Sequence, residues 1–313
     1  AIIMTIALIA VLCFGINTAG GWNAVAENAK SIPHYLSLTS TTDGAGNMVP
    51  FGGSTIVSTL AWGLGYFGMP HILLRFMAIK DPNKIKTSRR VASIWVVIAM
   101  SVAIIIGIVG LAMSKTESSM VLKDSETIIV AIAALLSKHG VVFALLAGLI
   151  LAGILASTMS TADSQLLAAA SAISQDLMIG SLRLKISEKV KMIAARTTVI
   201  AIAILGVVFA WNPDSSVFRI VSFAWAGFGA SFGPLMLFSL FWKRTNKWGA
   251  MAGMISGGIT VIAWHYAQGG IFNLYELLPA FIVSSIFIVV VSLLTKAPEQ
   301  EIIDEFESAK SNS

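Results

Sequence analysis

Charge is scarce in this sequence. Asp, Glu, Lys and Arg make up 12% of its 313 residues, whereas soluble domains run near ~25%. A surface of ordinary water-soluble composition is therefore excluded. Cysteine is nearly absent: Cys13 stands alone, which rules out a disulfide framework within the chain and a Cys-rich metal site. The four histidines, His34, His71, His139 and His265, lack metal-ligand spacing and read as polar residues at loops or helix ends. No P-loop pattern occurs, so no ATP site is expected. G-x-S-x-G is also missing, and no His lies mid-membrane in a hydroxyl-rich span. An intramembrane hydrolase built on a pair such as Ser160 and His71 is thereby disfavoured. A channel lacks a filter-like repeat of carbonyl-presenting residues. The loops leave no room for a soluble catalytic domain, and no internal repeat is visible.

Apolar residues supply what remains: 56% of the chain, with a mean hydropathy of +0.84. The chain is read as an all-α integral membrane protein. Crossing the hydrocarbon takes about 20 mostly apolar residues. Eight stretches qualify: 1–19, 54–78, 89–113, 141–177, 191–211, 217–242, 247–267 and 275–295. Residues 1–19 lack a leading Met and the basic flank of a signal peptide, so they read as a span at the start of a truncated chain. The stretch 141–177 would reach about 55 Å as a straight helix. It is expected to tilt, to kink at Gly148 or Gly153, or to protrude into water. The longer loop 20–50 holds Gly44, Gly46 and Asn47.

Fourteen of the 21 Lys and Arg residues fall in alternate loops and the tail: Lys80, Lys84, Lys86, Arg89 and Arg90; Arg183, Lys185, Lys189 and Lys191; Lys243, Arg244 and Lys247; Lys296 and Lys310. The opposite loops hold Lys30, Lys115, Lys123 and Lys138. Arg75, Arg196 and Arg219 lie in or at the ends of spans, and snorkelling accounts for Arg75 and Arg219. The positive-inside rule puts the first set, and the acidic tail 296–313, in the cytoplasm. Topology thus explains the net charge of +5, and no nucleic-acid partner is implied.

Two stretches carry candidate chemistry. In "TLAWGLGYFGMPHILLRF", residues 59–76, Gly63, Gly65, Gly68 and Pro70 interrupt an apolar span at its middle, with Trp62 and Tyr66 four residues apart among them. Lipid tolerates freed backbone groups only where they face protein or a water-filled cavity, which is how transporters bind cargo at broken helices. Close helix packing through glycine is the plainer alternative. In "LASTMSTADSQ", residues 155–165, hydroxyls cluster near the middle of span 141–177. Ser160 and Thr161, with the Ser157 carbonyl one turn back, offer three hard oxygen ligands suited to a hard cation. The competing reading has each hydroxyl bonding back to the preceding turn. Asp163, beside Ser164, would cost about 2.5–3.5 kcal/mol to insert at membrane depth. It is expected to face the bundle interior with a partner or a cation. The small residues from Ala224 to Pro234 suggest close packing, or a hinge between bundles.

"AWGLGYFGMPHILLRFMA", "ILASTMSTADSQLL", "SFAWAGFGASFGPLMLFSLFW" and "TKAPEQEIIDEFE" resemble the sodium:solute symporter family, nearest to its proline-carrying bacterial members. The resemblance implies a LeuT-like inverted-repeat bundle, of which this chain holds about eight helices. Residues 1–19 would be the last helix of the first repeat, 54–242 the second five-helix repeat, 247–295 two extra helices and 296–313 the tail. It implies no enzyme, but sodium-coupled import of L-proline across the bacterial cell membrane. Import of another small amino acid or carboxylate is the alternative. Na⁺, proline, lipid and missing N-terminal helices of the same protein are the implied partners. Trp62, Tyr66, Pro70, Gly63 and Gly65 would line the proline site, with Gly68 in the same broken helix. Ser157, Ser160 and Thr161 would hold sodium, with Asp163 and Ser164 at a second cation or in support.

Overall fold

The computed structural model describes residues 2–42, 47–116, 125–183, 186–211, 217–267 and 269–311. Gly44, Gly46, Lys123 and Lys185 lie outside them, as does the side chain of Arg219. All eight apolar stretches are helical, and the chain divides into two compact units.

The first unit comprises residues 1–50 and 80–202. Helix α1 (Ile2–Thr18) turns sharply at Gly20 and Gly21, whose φ of 91° and 94° suit glycine, into amphipathic α2 (Trp22–Ser31). The apolar parts of α1 and α2 meet at 78° and pass as one span only if taken together. Strands β1 (Ser40–Thr42) and β2 (Met48–Pro50) pair antiparallel, Thr41 opposite Val49. The two-strand ladder lies within the loop 20–50. Helices α3 (Gly53–Ala61) and α4 (Pro70–Met77) belong to the second unit. The first unit resumes at α5 (Ile85–Thr116), α6 (Ile128–Leu136), α7 (Val141–Ser171) and α8 (Glu188–Ala210) up to Ile202, the rest of α8 being counted with the second unit. Its core is aliphatic: Val11 of α1, Ile106, Val109 and Met113 of α5, Ile132 and Leu136 of α6, and Ile150 of α7 are all buried.

Helix α7 runs unbroken through Gly148 and Gly153. Its adjustment comes later, where Ala172–Ser181 widens into a π-helix. The whole helical run, Val141–Ser181, has 41 residues. Only 11% of its most apolar window is covered by protein, and 6% of that of α8. Such bare apolar faces need lipid or further helices against them.

The second unit joins residues 51–79 to 203–313. It contains α9 (Val217–Phe241), α10 (Lys247–Tyr266), α11 (Leu277–Leu294) and the acidic α12 (Gln300–Ser311). Ala226 and Ala230 of α9, Val261 of α10, and Leu277 and Ala280 of α11 form its buried core. Gly249, Gly253 and Gly257 recur every fourth residue along α10. They let its backbone lie against Ser292, Ile288 and Ala230, where a methyl group would strike side chain or backbone. Asn246 fastens one end: its carbonyl caps Gly249, and its amide donates to Ser292 O, Thr295 Oγ1 and Lys296 O at 2.7–3.3 Å. Lys243 meets Glu307 of α12 at 3.5 Å.

Among the described residues five helices are long and apolar enough to cross a membrane, 82–115, 141–181, 188–210, 220–241 and 277–294, and the bent α1–α2 pair makes a sixth if taken as one span. The other two expected spans fall short for physical reasons. The 53–77 run is cut into three pieces, and α10 exchanges apolar mass for its glycine stripe.

Candidate functional site

Between α3 and α4 the backbone leaves the α-helix. Residues Trp62–Gly68 tighten into a 3₁₀-helix, Met69 is extended (φ −80°, ψ 114°), and Pro70 opens α4 at its first turn. Proline is well placed there, because the first turn has no intrahelical partner for its missing N–H. The break falls where the glycines and proline predict it, at the middle of the apolar run.

The glycines divide into two kinds. Gly63 is exposed, and a Cβ built on it meets nothing within 4 Å. Gly65 and Gly68 are buried where the 3₁₀-helix crosses α9. A Cβ on Gly65 would strike the Trp225 indole. One on Gly68 would strike the Phe228 carbonyl and lie 2.9 Å from Gly229 Cα. Gly229 and Gly233 of α9 answer from the other side, Gly229 lying against Gly65 and Gly233 near the Leu64 carbonyl. Two of the three glycines thus serve close packing, and the small residues of α9 provide the matching surface.

An aromatic cluster builds on that crossing. The Trp225 indole N–H donates to the Trp62 carbonyl at 3.0 Å, tying α9 to the backbone of the 3₁₀-helix. The Trp62 ring lies nearly parallel to Phe218, Trp225 and Tyr275, with centroids 5.3, 5.5 and 5.9 Å away. Tyr66 stands edge-on to Trp225 at 4.8 Å and is 51% exposed. Pro70 is exposed at the head of α4. Trp62 is therefore held by two rings of α9 and by Tyr275, while Tyr66 is half exposed and its hydroxyl has no hydrogen-bond partner among the described residues. This is an apolar wall with a polar handle.

The hydroxyl cluster lies on α7, in the other unit. Ser160 Oγ donates to Ser157 O at 3.0 Å, and Thr161 Oγ1 donates to the same carbonyl at 3.1 Å. The three oxygens named from the sequence do converge. Thr158 bonds back to Ile154 O and Ser164 to Ser160 O, at 3.0 and 2.9 Å. Back-bonding of hydroxyls therefore operates throughout this turn. It does not conflict with ligation: a cation at the Ser157 carbonyl would be met by hydroxyls free to rotate away from that carbonyl and offer their lone pairs. Ser157, Ser160, Thr161, Asp163 and Ser164 are all exposed in this chain. Asp163 has no ion-pair or hydrogen-bond partner among the described residues. The packed interior partner expected for it is not found there.

Trp225 and Tyr275 were not singled out in the sequence. Trp225 sits in a small-residue stretch whose glycines point to packing, and nothing local marks Tyr275.

A polytopic helical protein with a broken span and an oxygen-lined helix is a transporter-like architecture. The model of the sodium:solute symporter family matches residues 1–257. The chain is 40% identical over 307 residues to a high-affinity proline transporter of Bacillus subtilis, covering 97% of this chain and 61% of that protein. It is 41% identical over 245 residues to an osmoregulated proline transporter of the same organism, covering 78% and 49%. It is 41% identical over 257 residues to a sodium/proline symporter of Salmonella typhimurium, covering 81% and 50%. The chain belongs to the sodium:solute symporter family, a family of transporters rather than enzymes. It spans between about half and three fifths of the length of these relatives.

Proposed function

We propose that this chain is part of a sodium-coupled secondary transporter that imports L-proline by alternating access. The observation that carries the reading is the convergence of the Ser157 carbonyl with the Ser160 and Thr161 hydroxyls, 3.0–3.1 Å apart, midway along the apolar α7. Carbonyl and hydroxyl oxygens without a fixed charge suit a monovalent hard cation that must also be released. The relatives' names supply sodium and proline as the cargo.

In this reading Trp62 and Tyr66 flank the pyrrolidine ring, with Gly63, Gly65 and Pro70 shaping the wall. Gly65 acts indirectly, by letting Trp225 lie close. Asp163 and Ser164 support sodium exit or a second cation. Residues 1–19 end the first repeat of a LeuT-like bundle, 54–242 form the second, and 247–295 add two helices. Helices equivalent to the part of the relatives outside the match, N-terminal in the same protein, complete both sites and cover α7. The basic loops and the tail 296–313 face the cytoplasm of a bacterial cell.

The energetics are sufficient. One Na⁺ crossing a tenfold gradient releases about 1.4 kcal/mol, and about 100 mV adds about 2.3 kcal/mol. Together these support roughly a few hundredfold accumulation of a neutral solute. Counterflow tests the transport class. Proteoliposomes of the full-length transporter preloaded with unlabelled proline should transiently concentrate labelled proline in the presence of sodium. Simple equilibration would indicate a channel, and overturn the proposal.

A further inference from the structure

We infer that Tyr275 is a positioning residue of the cargo site, bracing the broken helix from the segment that leads into α11, outside the five-helix repeat. The inference rests on the reading of Trp62 as part of the proline site.

Tyr275 touches three other elements at once. Its backbone N–H donates to Ser58 Oγ of α3 at 3.0 Å. Its phenol donates to the Ser222 carbonyl of α9 at 2.7 Å. Its ring lies nearly parallel to that of Trp62, at 16° and 5.9 Å between centroids. The residues on either side are themselves fixed to α10. The Trp264 indole donates to the Leu274 carbonyl at 3.0 Å, and His265 Nδ1 meets Glu276 Oε1 at 3.3 Å. Residues 274–276 thus form a strap anchored on α10 and presented to α3, the 3₁₀-helix and α9. Two residues on, Leu277 is fully buried and lies against Gly229, where the 3₁₀-helix crosses.

The arrangement answers a mechanical need. A helix broken at 62–69 loses the continuous backbone ladder that would fix Trp62 relative to α3. Ser58 lies one turn before Trp62, and Tyr275 holds both. The phenol's bond to Ser222 ties that assembly to the helix carrying Trp225, the other ring against Trp62. Tyr275 need not touch proline; it fixes the ring that does.

The test uses purified full-length transporter. Tyr275→Ala should raise the apparent proline constant about tenfold, from the lost ring contact and hydrogen bond, with the sodium constant and maximal rate moved less. Tyr275→Phe keeps the stack and should cost only about two- to fivefold. Ser58→Ala should act in the same direction. In a Trp62→Ala background Tyr275→Ala should add less than about twofold, because the two act through one contact. Fully additive costs, or an unchanged proline constant in the Tyr275→Phe and Ser58→Ala variants together, would overturn the inference. Hydrogen exchange of residues 58–68 needs no substrate and separates the two levels. If wild-type protein fails to carry proline, the cargo reading falls. Faster exchange there in Tyr275→Ala would then still support the brace, and unchanged exchange would overturn it.

Discussion

Gly68→Ala probes the crossing on which the candidate site is built. A methyl group at Gly68 would lie 2.9 Å from Gly229 Cα and 2.9 Å from Gly233 N, and against the Phe228 carbonyl. Comfortable carbon contacts begin near ~3.5 Å. Every obstructing atom is backbone, so no rotamer change relieves the overlap, and α9 or the 3₁₀-helix must shift. Overpacking of this kind costs about 1–3 kcal/mol. Alanine returns about 0.4–1 kcal/mol by restricting the unfolded chain, since Gly68 does not adopt a positive φ. The expected net loss is about 1–2 kcal/mol, a roughly five- to thirtyfold shift toward disrupted packing. Gly63→Ala is the matched control. It sits in the same 3₁₀-helix with nothing within 4 Å, and should be neutral or slightly stabilising. Melting of both variants in detergent, followed by loss of the monodisperse peak on size-exclusion chromatography, gives the comparison. Equal melting of Gly68→Ala and Gly63→Ala would refute the close-crossing account.

Three further outcomes follow from the site. Ser160→Ala and Thr161→Ala should each weaken the sodium dependence of uptake first and proline affinity through linkage. Exchange of Ser for Thr should be milder than replacement by Cys, whose sulfur is a poor ligand for a hard cation; intact sodium dependence in both alanine variants would place the cation elsewhere. Trp62→Ala should raise the apparent proline constant more than Tyr66→Ala. Among the described residues Trp62 meets three rings and Tyr66 one, and losing an aromatic contact costs about 1–3 kcal/mol. Radiolabelled uptake titrations check the order, and unchanged kinetics in both would remove them from the site. Asp163→Asn keeps shape and removes charge, so a second cation site predicts a sodium Hill coefficient falling from about two to about one. An unchanged coefficient with reduced turnover would leave Asp163 in support of a single sodium.

What the sequence made legible was mainly periodic or local. The eight apolar stretches announced themselves by length, and the 3₁₀ interruption by four breakers in eight residues. Ser157, Ser160 and Thr161 sit within one helical turn, so their convergence needed only helix geometry. The partners of the broken helix were hidden because they are remote in sequence. The bond from Trp225 to Trp62 spans 163 residues and that from Tyr275 to Ser58 spans 217. Gly65 and Gly68 look like Gly63 in the sequence, and only the position of α9 separates packing glycines from an open one. The widening of α7 after Ser171 and the strand pair at 40–50 carried no periodic signal either. Asp163 was legible as unusual by its depth in an apolar run, and it has no ion-pair or hydrogen-bond partner among the described residues.

Sodium-driven accumulation is the most direct test of the central claim. Full-length transporter in proteoliposomes should be given an inward sodium gradient and an inside-negative potential, and internal labelled proline measured against time. Transient accumulation well above the external concentration is expected, bounded at roughly a few hundredfold for one sodium at a tenfold gradient and about 100 mV. Accumulation should collapse when choline replaces sodium. Uptake that merely equilibrates, or proceeds equally in choline, would contradict it.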